Sequence, residues 1–303
     1  MNTAGFTSLK KLALKSGWQT EEQRLLSTLT TFKIGGPASI VFTAKTEDEL
    51  CGMAANCTRY GVPHIFMGKG SNLLCSDEGY RGAVILQSED MRPLMLEPGG
   101  IMKCGAAVKL SALAGFTLKN SLAGLEFAHG IPGSAGGAAY MNAGAYGGEM
   151  AQVLTAIDHI DSEGNSGTLT GAAMGLGYRR SAYCQNGSAI IGLTLKLQPG
   201  DPAEIKARMD DLMERRRTKQ PLNLPSAGSV FKRPEGHFAG ELIERCGLKG
   251  HRIGGAEVST KHCGFIVNTG GATCNNVLAL IDHIKETVLK HTGIMLECEI
   301  KTL

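Results

Sequence analysis

The residues in this chain whose types and spacing suit chemistry sit beside glycines. Two glycine-rich stretches stand out, GKGSNLL at 68–74 and GLEFAHGIPGSAGGAAYMNAGAYGG at 124–148. Glycine and alanine bury little apolar area, so the second stretch offers bare backbone, whose N–H groups approach a ligand closely in turns that only glycine allows. Such backbone suits a phosphate or pyrophosphate, with Ser134 near the start of a helix running toward Asn142. The alternative is a small-residue helix packed tightly on its neighbours. The first stretch follows a short apolar run at 62–67 and resembles a dinucleotide fingerprint, but Leu73 stands where the third glycine belongs. Together the two loops point to one extended phosphate-bearing cofactor on a fold that is not Rossmann.

Three further groups carry reactive side chains. Ser229 follows a glycine in SAGSVFK (226–232), where it is a nucleophile or a turn serine, since the run is not G-x-S-x-G. GYRRS (177–181) sets Arg179 and Arg180 in an uncharged neighbourhood, and arginine suits a substrate carboxylate or phosphate. LECEI (296–300) alternates, so Glu297 and Glu299 point to one side of a strand.

The elements that must position these groups follow from periodicity. An amphipathic start carries Leu9, Leu12 and Leu14. A strand over 40–43, a helix over 46–60 and strands over 64–67 and 83–86 form a βαββ unit ending near residue 90. Strands over 94–97, 154–160 and 190–197 then alternate with a helix near 110–120 and the Gly/Ala stretch. Pro199-Gly200-Asp201-Pro202 breaks the chain. Beyond it Ile205, Met209, Leu212 and Met213 mark one helix face, ending in Arg215, Arg216 and Arg217, cations expected to stay solvated at the negative end of the dipole. Val277, Leu280, Ile281, Ile284 and Val288 mark a second helix that Gly293 stops, and a strand over 294–300 closes the chain.

Composition narrows the classes. A net charge of +3 over 303 residues is too mild to imply nucleic acid. No apolar run approaches the ~18 residues of a membrane helix, and the first 18 residues lack an export signal's apolar core. Nine cysteines without C-x-x-C suggest reduced, mostly buried thiols in a cytoplasmic protein. The eight scattered histidines give no reason to expect a metal.

Taken in order, the motifs resemble those of the UDP-N-acetylenolpyruvoylglucosamine reductases. The likeness rests on TTFKIGGPA (30–38), GKGSNLL (68–74), the stretch at 124–149, GYRRS (177–181) and TKQP (218–221). It continues through PSAGSVFKRP (225–234), AGELIERCGLKG (239–250), GGAEVSTKHCGFIVN (254–268) and LECEIK (296–301). The resemblance implies an α+β fold. A two-part FAD-binding region of the p-cresol methylhydroxylase/vanillyl-alcohol oxidase type would occupy 1–90 and 91–199, and a C-terminal α+β substrate-binding domain 200–303. It further implies non-covalent FAD, NADPH as co-substrate, and reduction of UDP-N-acetylglucosamine enolpyruvate to UDP-N-acetylmuramate for the cell wall. No nucleic acid, membrane or obligate protein partner is expected.

Carried over by position, the resemblance makes Arg179, Ser229 and Glu299 the catalytic residues: Arg179 on the enolpyruvyl carboxylate, Ser229 as proton donor, Glu299 as the acidic partner. Gly68, Lys69, Gly70, Ser71, Asn72 and Leu73 would hold FAD together with Gly130, Ile131, Pro132, Gly133 and Ser134. Asn142, Ala143, Gly144, Ala145 and Gly147 would lie on the flavin side, and Lys219 and Lys232 would meet the UDP phosphates. Arg233 departs from the pattern, standing where asparagine is common, and the short segment 184–189 resembles the subclass without an extra tyrosine-bearing loop. No third phosphate loop is left for NADPH, so it is expected to alternate with the sugar nucleotide.

Overall fold

In the computed structural model, which describes residues 3–303, chain contacts define two units. The first gathers Met1–Gln23, Ser39–Lys69 and Arg81–Glu214, and the second Arg24–Ala38, Gly70–Tyr80 and Arg215–Leu303.

The first unit has two main cores. Helix α1 (Thr3–Lys15) buries Gly5, Leu9 and Ala13, one residue per turn. Leu14, expected on the apolar face, is 85% exposed. Five residues beyond Leu9, it is turned about 140° away on a helix of 3.6 residues per turn. Helix α2 (Glu47–Arg59) starts where the Thr46 hydroxyl accepts from Glu49 N–H (3.2 Å), and its acidic first turn and Arg59 complement the dipole. It buries Leu50, Met53, Ala54 and Cys57 in a core with Ile40, Phe42, Ala83 and Ile85. The sheet there has the order Gln19–Leu25, Pro37–Ala44, Tyr80–Gln87, His64–Phe66, and its last pair is parallel with Ile65 opposite Val84.

A five-stranded antiparallel sheet organises the second core, in the order Ser166–Thr170, Leu154–Ile160, Ala189–Lys196, Ile101–Gly105, Met95–Glu97. The central strand Ala189–Lys196 is buried almost throughout. Helices α3 (Leu110–Lys119) and α4 (Ala135–Tyr140) add Leu110, Leu113, Ala135, Ala138 and Ala139 to this core.

Helix α5 (Pro202–Lys219) carries the chain from one unit into the other, with Ile205, Met209 and Leu212 buried as the periodicity requires. Arg216 corrects the expectation of a solvated basic end, being only 5% exposed. It continues the 205–209–212 stripe by four residues, and its Nη1 donates to Gln220 Oε1 (3.4 Å). Arg215 and Arg217 are exposed.

In the second unit an antiparallel sheet runs Ser226–Ser229, Phe265–Asn268, Ala256–Val258, Arg252–Ile253. Helices α6 (Ala239–Arg245) and α7 (Cys274–Thr292) share its core. All five expected apolar positions of α7 are buried, and Gly293 ends the helix at φ 71°. At its start Thr273 and Asn276 cap each other, while the Asp77 carboxylate accepts from the N–H groups of Cys274 (2.8 Å) and Asn275 (3.2 Å). The strand expected over 294–300 is not regular. Cys298 makes one antiparallel bridge to Phe231, and the chain then moves to Leu73–Leu74, which pairs parallel with Lys301–Thr302. A segment that changes partner midway cannot form one ladder.

Candidate active site

In the first unit the backbone of one glycine-rich loop rests on the other. Met67 N–H donates to Ile85 O (3.1 Å), and the chain then turns out at Gly68. A Cβ on Gly68 would lie 2.7 Å from Ser134 Oγ, so a side chain there would have to displace the serine hydroxyl. Ser134 is buried and caps α4, its Oγ accepting from Gly137 N–H (3.3 Å). Lys69 turns aside to the Glu89 carboxylate (2.5 Å). That hydrogen bond outweighs partial burial and, with Lys109 nearby, holds Glu89 below the usual carboxylate range.

One expectation is corrected here. A phosphate at the start of α4 needs open N–H groups, but Ala135 donates to Val108 O (2.8 Å), Gly136 to Ala106 O (2.8 Å) and Gly137 to Ser134 Oγ. Gly136 serves packing: a Cβ on it would sit 2.5 Å from Ala106 Cβ. The helix is therefore the tightly packed small-residue contact. The backbone suited to a ligand lies before it, where Gly133 adopts φ 146°, a conformation open to glycine. The bare backbone at Gly68, and at Gly133 with its φ of 146°, fits the pyrophosphate of a dinucleotide.

Beyond α4 the chain grips the arginine motif. Gly177 and Arg180 exchange both backbone hydrogen bonds (3.1 Å each), closing a turn with Tyr178 and Arg179 at its tip. Arg179 is half-buried at φ 56°, and its Nη2 donates to Gly144 O (3.3 Å). Its guanidinium lies 5.1 Å from the centre of the Tyr178 ring. Arg180 is exposed. Ser181 Oγ donates to Tyr140 O (2.8 Å), and Asn142 Nδ2 to Gly177 O (3.1 Å). The Asn142 side chain, expected on the flavin side, is fully buried and engaged at both ends within the protein. Ala143, Ala145 and Gly147 follow in the same loop.

The second unit brings together Ser229, Glu299 and Asn72. Glu299 N–H donates to Val230 O (2.7 Å), which sets the glutamate beside the residue that follows Ser229. Asn72 Nδ2 donates to Glu299 O (3.2 Å), and Lys301 N–H to Asn72 O (3.0 Å). The Ser229 hydroxyl is half-buried and donates to Phe231 O (3.1 Å). Gly70 sits at φ 58°, where a side chain would also strike Leu29 O, and Thr31 N–H donates to Gly70 O (3.4 Å). The TTFKIGGPA motif thus clasps the loop that holds Asn72.

The two candidate glutamates differ. Glu297 is exposed and ion-paired with Lys232 (2.9 Å), a bond that lowers its pKa, whereas Glu299 is half-buried. Lys219 is exposed in the last turn of α5. Arg233 lays its guanidinium on the Phe238 ring, 3.9 Å from the centre, and donates to His237 O (3.3 Å).

Two neighbours of Ser229, His262 and Gly264, lie in a motif quoted from the sequence but were given no role there. His262 Nδ1 accepts from Gly264 N–H (3.1 Å), and burial holds this histidine below its usual pKa. A Cβ on Gly264 would lie 3.0 Å from the His262 ring and 3.5 Å from Ser229 Oγ. The one signal was the glycine inside the apolar run CGFIV.

With this geometry in place, the comparisons are decisive. The family model for the C-terminal domain of UDP-N-acetylenolpyruvoylglucosamine reductase matches residues 220–303, and an FAD-binding domain model matches residues 38–190. The Clostridium novyi UDP-N-acetylenolpyruvoylglucosamine reductase is 45% identical over 277 residues, 91% of this chain and 90% of its own. The chain belongs to the UDP-N-acetylenolpyruvoylglucosamine reductase family. The Clostridioides difficile reductase is 45% identical over 273 residues, covering 90% of each chain. Among solved structures, the Thermus caldophilus reductase matches with a TM-score of 0.81 at 35% identity, over 94% of this chain and 99% of that one. The α+β FAD-binding fold expected from the motifs is thus borne out.

Proposed function

We propose that this chain is the FAD-dependent reductase that converts UDP-N-acetylglucosamine enolpyruvate to UDP-N-acetylmuramate, with NADPH as reductant. The observation that carries the reading is the pairing of Phe231 with Cys298, which sets Ser229 and Glu299 on adjacent segments beside Asn72.

The enolpyruvyl group is a carbon–carbon double bond conjugated to a carboxylate. Bound FAD, once reduced, supplies hydride for its β-carbon. The Arg179 guanidinium would bind the carboxylate and stabilise negative charge as it builds there, at about 2.7–4 kcal/mol for such a donor. The Ser229 Oγ proton, directed at the Phe231 carbonyl, would pass to the substrate α-carbon. Glu299 would orient the carboxylate or help the enol form. Gly68, Gly70, Ser71, Gly130 and Gly133 would supply backbone to the FAD pyrophosphate. Lys219 and Lys232 would meet the UDP phosphates; the Lys232–Glu297 pair is exposed to solvent, so a phosphate can displace it. Residues 1–90 and 91–199 would act as FAD-binding subdomains and 200–303 as the substrate domain, with Phe32, Ile34 and Leu74 reaching into the core of the last and Ile160, Ala189 and Ile191 into the core of the first.

Ser229→Ala tests the assignment. The variant should bind FAD and accept electrons from NADPH at the wild-type rate, because Ser229 acts only on the second substrate. Reoxidation by the enolpyruvyl sugar nucleotide should slow by ~10²–10⁴. Wild-type reoxidation would remove Ser229 from the reaction.

A further inference from the structure

Arg179 adopts a left-handed backbone, φ 56°, at the tip of the turn that Gly177 and Arg180 close. A left-handed backbone is unfavourable for a residue with a Cβ, and it persists only where its surroundings fix it. Three bonds tie the arginine turn to the chain leaving α4: Ser181 Oγ to Tyr140 O, Asn142 Nδ2 to Gly177 O and Arg179 Nη2 to Gly144 O. Of these, the Asn142 amide is the one with no access to solvent, at 0% exposure.

Its orientation is fixed by what it faces. Ala151 N–H can only donate, so Oδ1 must accept from it (2.8 Å), and Nδ2 is left to donate to the Gly177 carbonyl (3.1 Å). Asn142 itself sits at φ 43°, a region that asparagine tolerates better than most residues. Its backbone is anchored by bonds from Asn142 N–H to Ala139 O (3.1 Å) and from Ala143 N–H to Ala138 O (2.8 Å). The same short loop therefore fixes one end of the turn through Gly177 and the guanidinium through Gly144.

We propose that Asn142 is the positioning residue of Arg179, presenting its guanidinium in a single orientation to the substrate carboxylate. The inference rests on the reading of Arg179 given above. Without the amide, the Gly177 carbonyl keeps only the Arg180 N–H (3.1 Å) and loses its tie to the loop after α4, and the turn relaxes toward conformations that an L-residue prefers.

The test compares wild type, Asn142→Gly, Arg179→Ala and the double variant, each loaded with FAD and reduced anaerobically. Glycine is chosen because φ 43° suits it, so the amide is removed without backbone strain. The readout is reoxidation by the enolpyruvyl sugar nucleotide. Asn142→Gly should slow it roughly 5- to 150-fold, because it removes both the second donor to Gly177 O and the acceptor of the Ala151 N–H. In the Arg179→Ala background the same change should have an effect below about twofold, because the two residues act as one unit. Equal slowing in both backgrounds would overturn the inference while leaving Arg179 in place. Wild-type reoxidation by Arg179→Ala would instead refute the role of Arg179, and the positioning role with it. Limited trypsin digestion reads the turn without turnover. Cleavage after Arg179 and Arg180 should be faster in Asn142→Gly, and an unchanged rate would contradict the proposal. If the glycine variant does not fold, Asn142→Asp keeps an acceptor for Ala151 and loses the amide donor to Gly177, and the same comparison applies.

Discussion

Gly68→Ala isolates the contact on which the cofactor cradle depends. Gly68 is not in the left-handed region, so alanine brings no backbone strain there. The new methyl would instead lie 2.7 Å from Ser134 Oγ and 3.9 Å from Ser134 Cβ. The hydroxyl must rotate, breaking its bond from Gly137 N–H and uncapping α4, at about 1 kcal/mol. A displaced rotamer adds ~0.5–1.5 kcal/mol. The sum of about 1.5–2.5 kcal/mol corresponds to a fall in melting temperature of roughly 3–10 °C. Ser134→Ala alone removes only the cap, at roughly 2–4 °C. In the double variant the methyl meets only Cβ at ordinary contact distance, so Gly68→Ala should add nothing further. Bound FAD stabilises by mass action, so all four proteins are melted both without flavin and at saturating flavin. An equal cost for Gly68→Ala with and without the serine hydroxyl would refute the contact, and with it the cradle.

Other consequences are as direct. Glu299→Gln should depress turnover far more than Glu297→Gln, whose carboxylate is tied to Lys232 on the surface; steady-state assays showing the reverse order would transfer the acidic role to Glu297. His262 has its pKa lowered by burial, so the unfolded chain binds more protons, and stability should be lost as pH falls below about 6.5. His262→Gln should lose less melting temperature between about pH 7 and pH 5 than wild type does; identical losses would assign the effect to other groups, such as the half-buried His64. Because two phosphate loops serve FAD and none is left for NADPH, initial-rate plots varying NADPH at several sugar-nucleotide concentrations should give parallel lines. Intersecting lines would mean that both substrates bind together.

The elements that were legible in the sequence are those whose burial is periodic. Helices α2 and α7 declare themselves through Leu50–Met53–Cys57 and Val277–Ile281–Ile284–Val288, with caps at Thr46 and Gly293. Strand Ser166–Thr170 was not, because its residues alternate only between exposed and half-buried and so carry no apolar signal. Arg216 misled because its charge argued for water while its spacing argued for the stripe it shares with Leu212. The Gly/Ala stretch was read as backbone for a ligand or as a packed helix, and each reading fits a different part. Ala135, Ala138 and Ala139 fill a core, whereas the loop with Gly133 keeps the open backbone. The hold of Asn142 on Gly177 spans 35 residues, and no local pattern announces a contact that depends on the tertiary fold.

The most direct test of the whole account is a flavin titration under anaerobic conditions. The purified protein should be yellow, bleach when NADPH is added, and recover its colour when UDP-N-acetylglucosamine enolpyruvate is supplied, one equivalent of substrate for each flavin. A bleached protein that recovers its colour only when oxygen is admitted would contradict the assigned substrate, and a colourless protein that takes up no FAD would contradict the fold's assigned role.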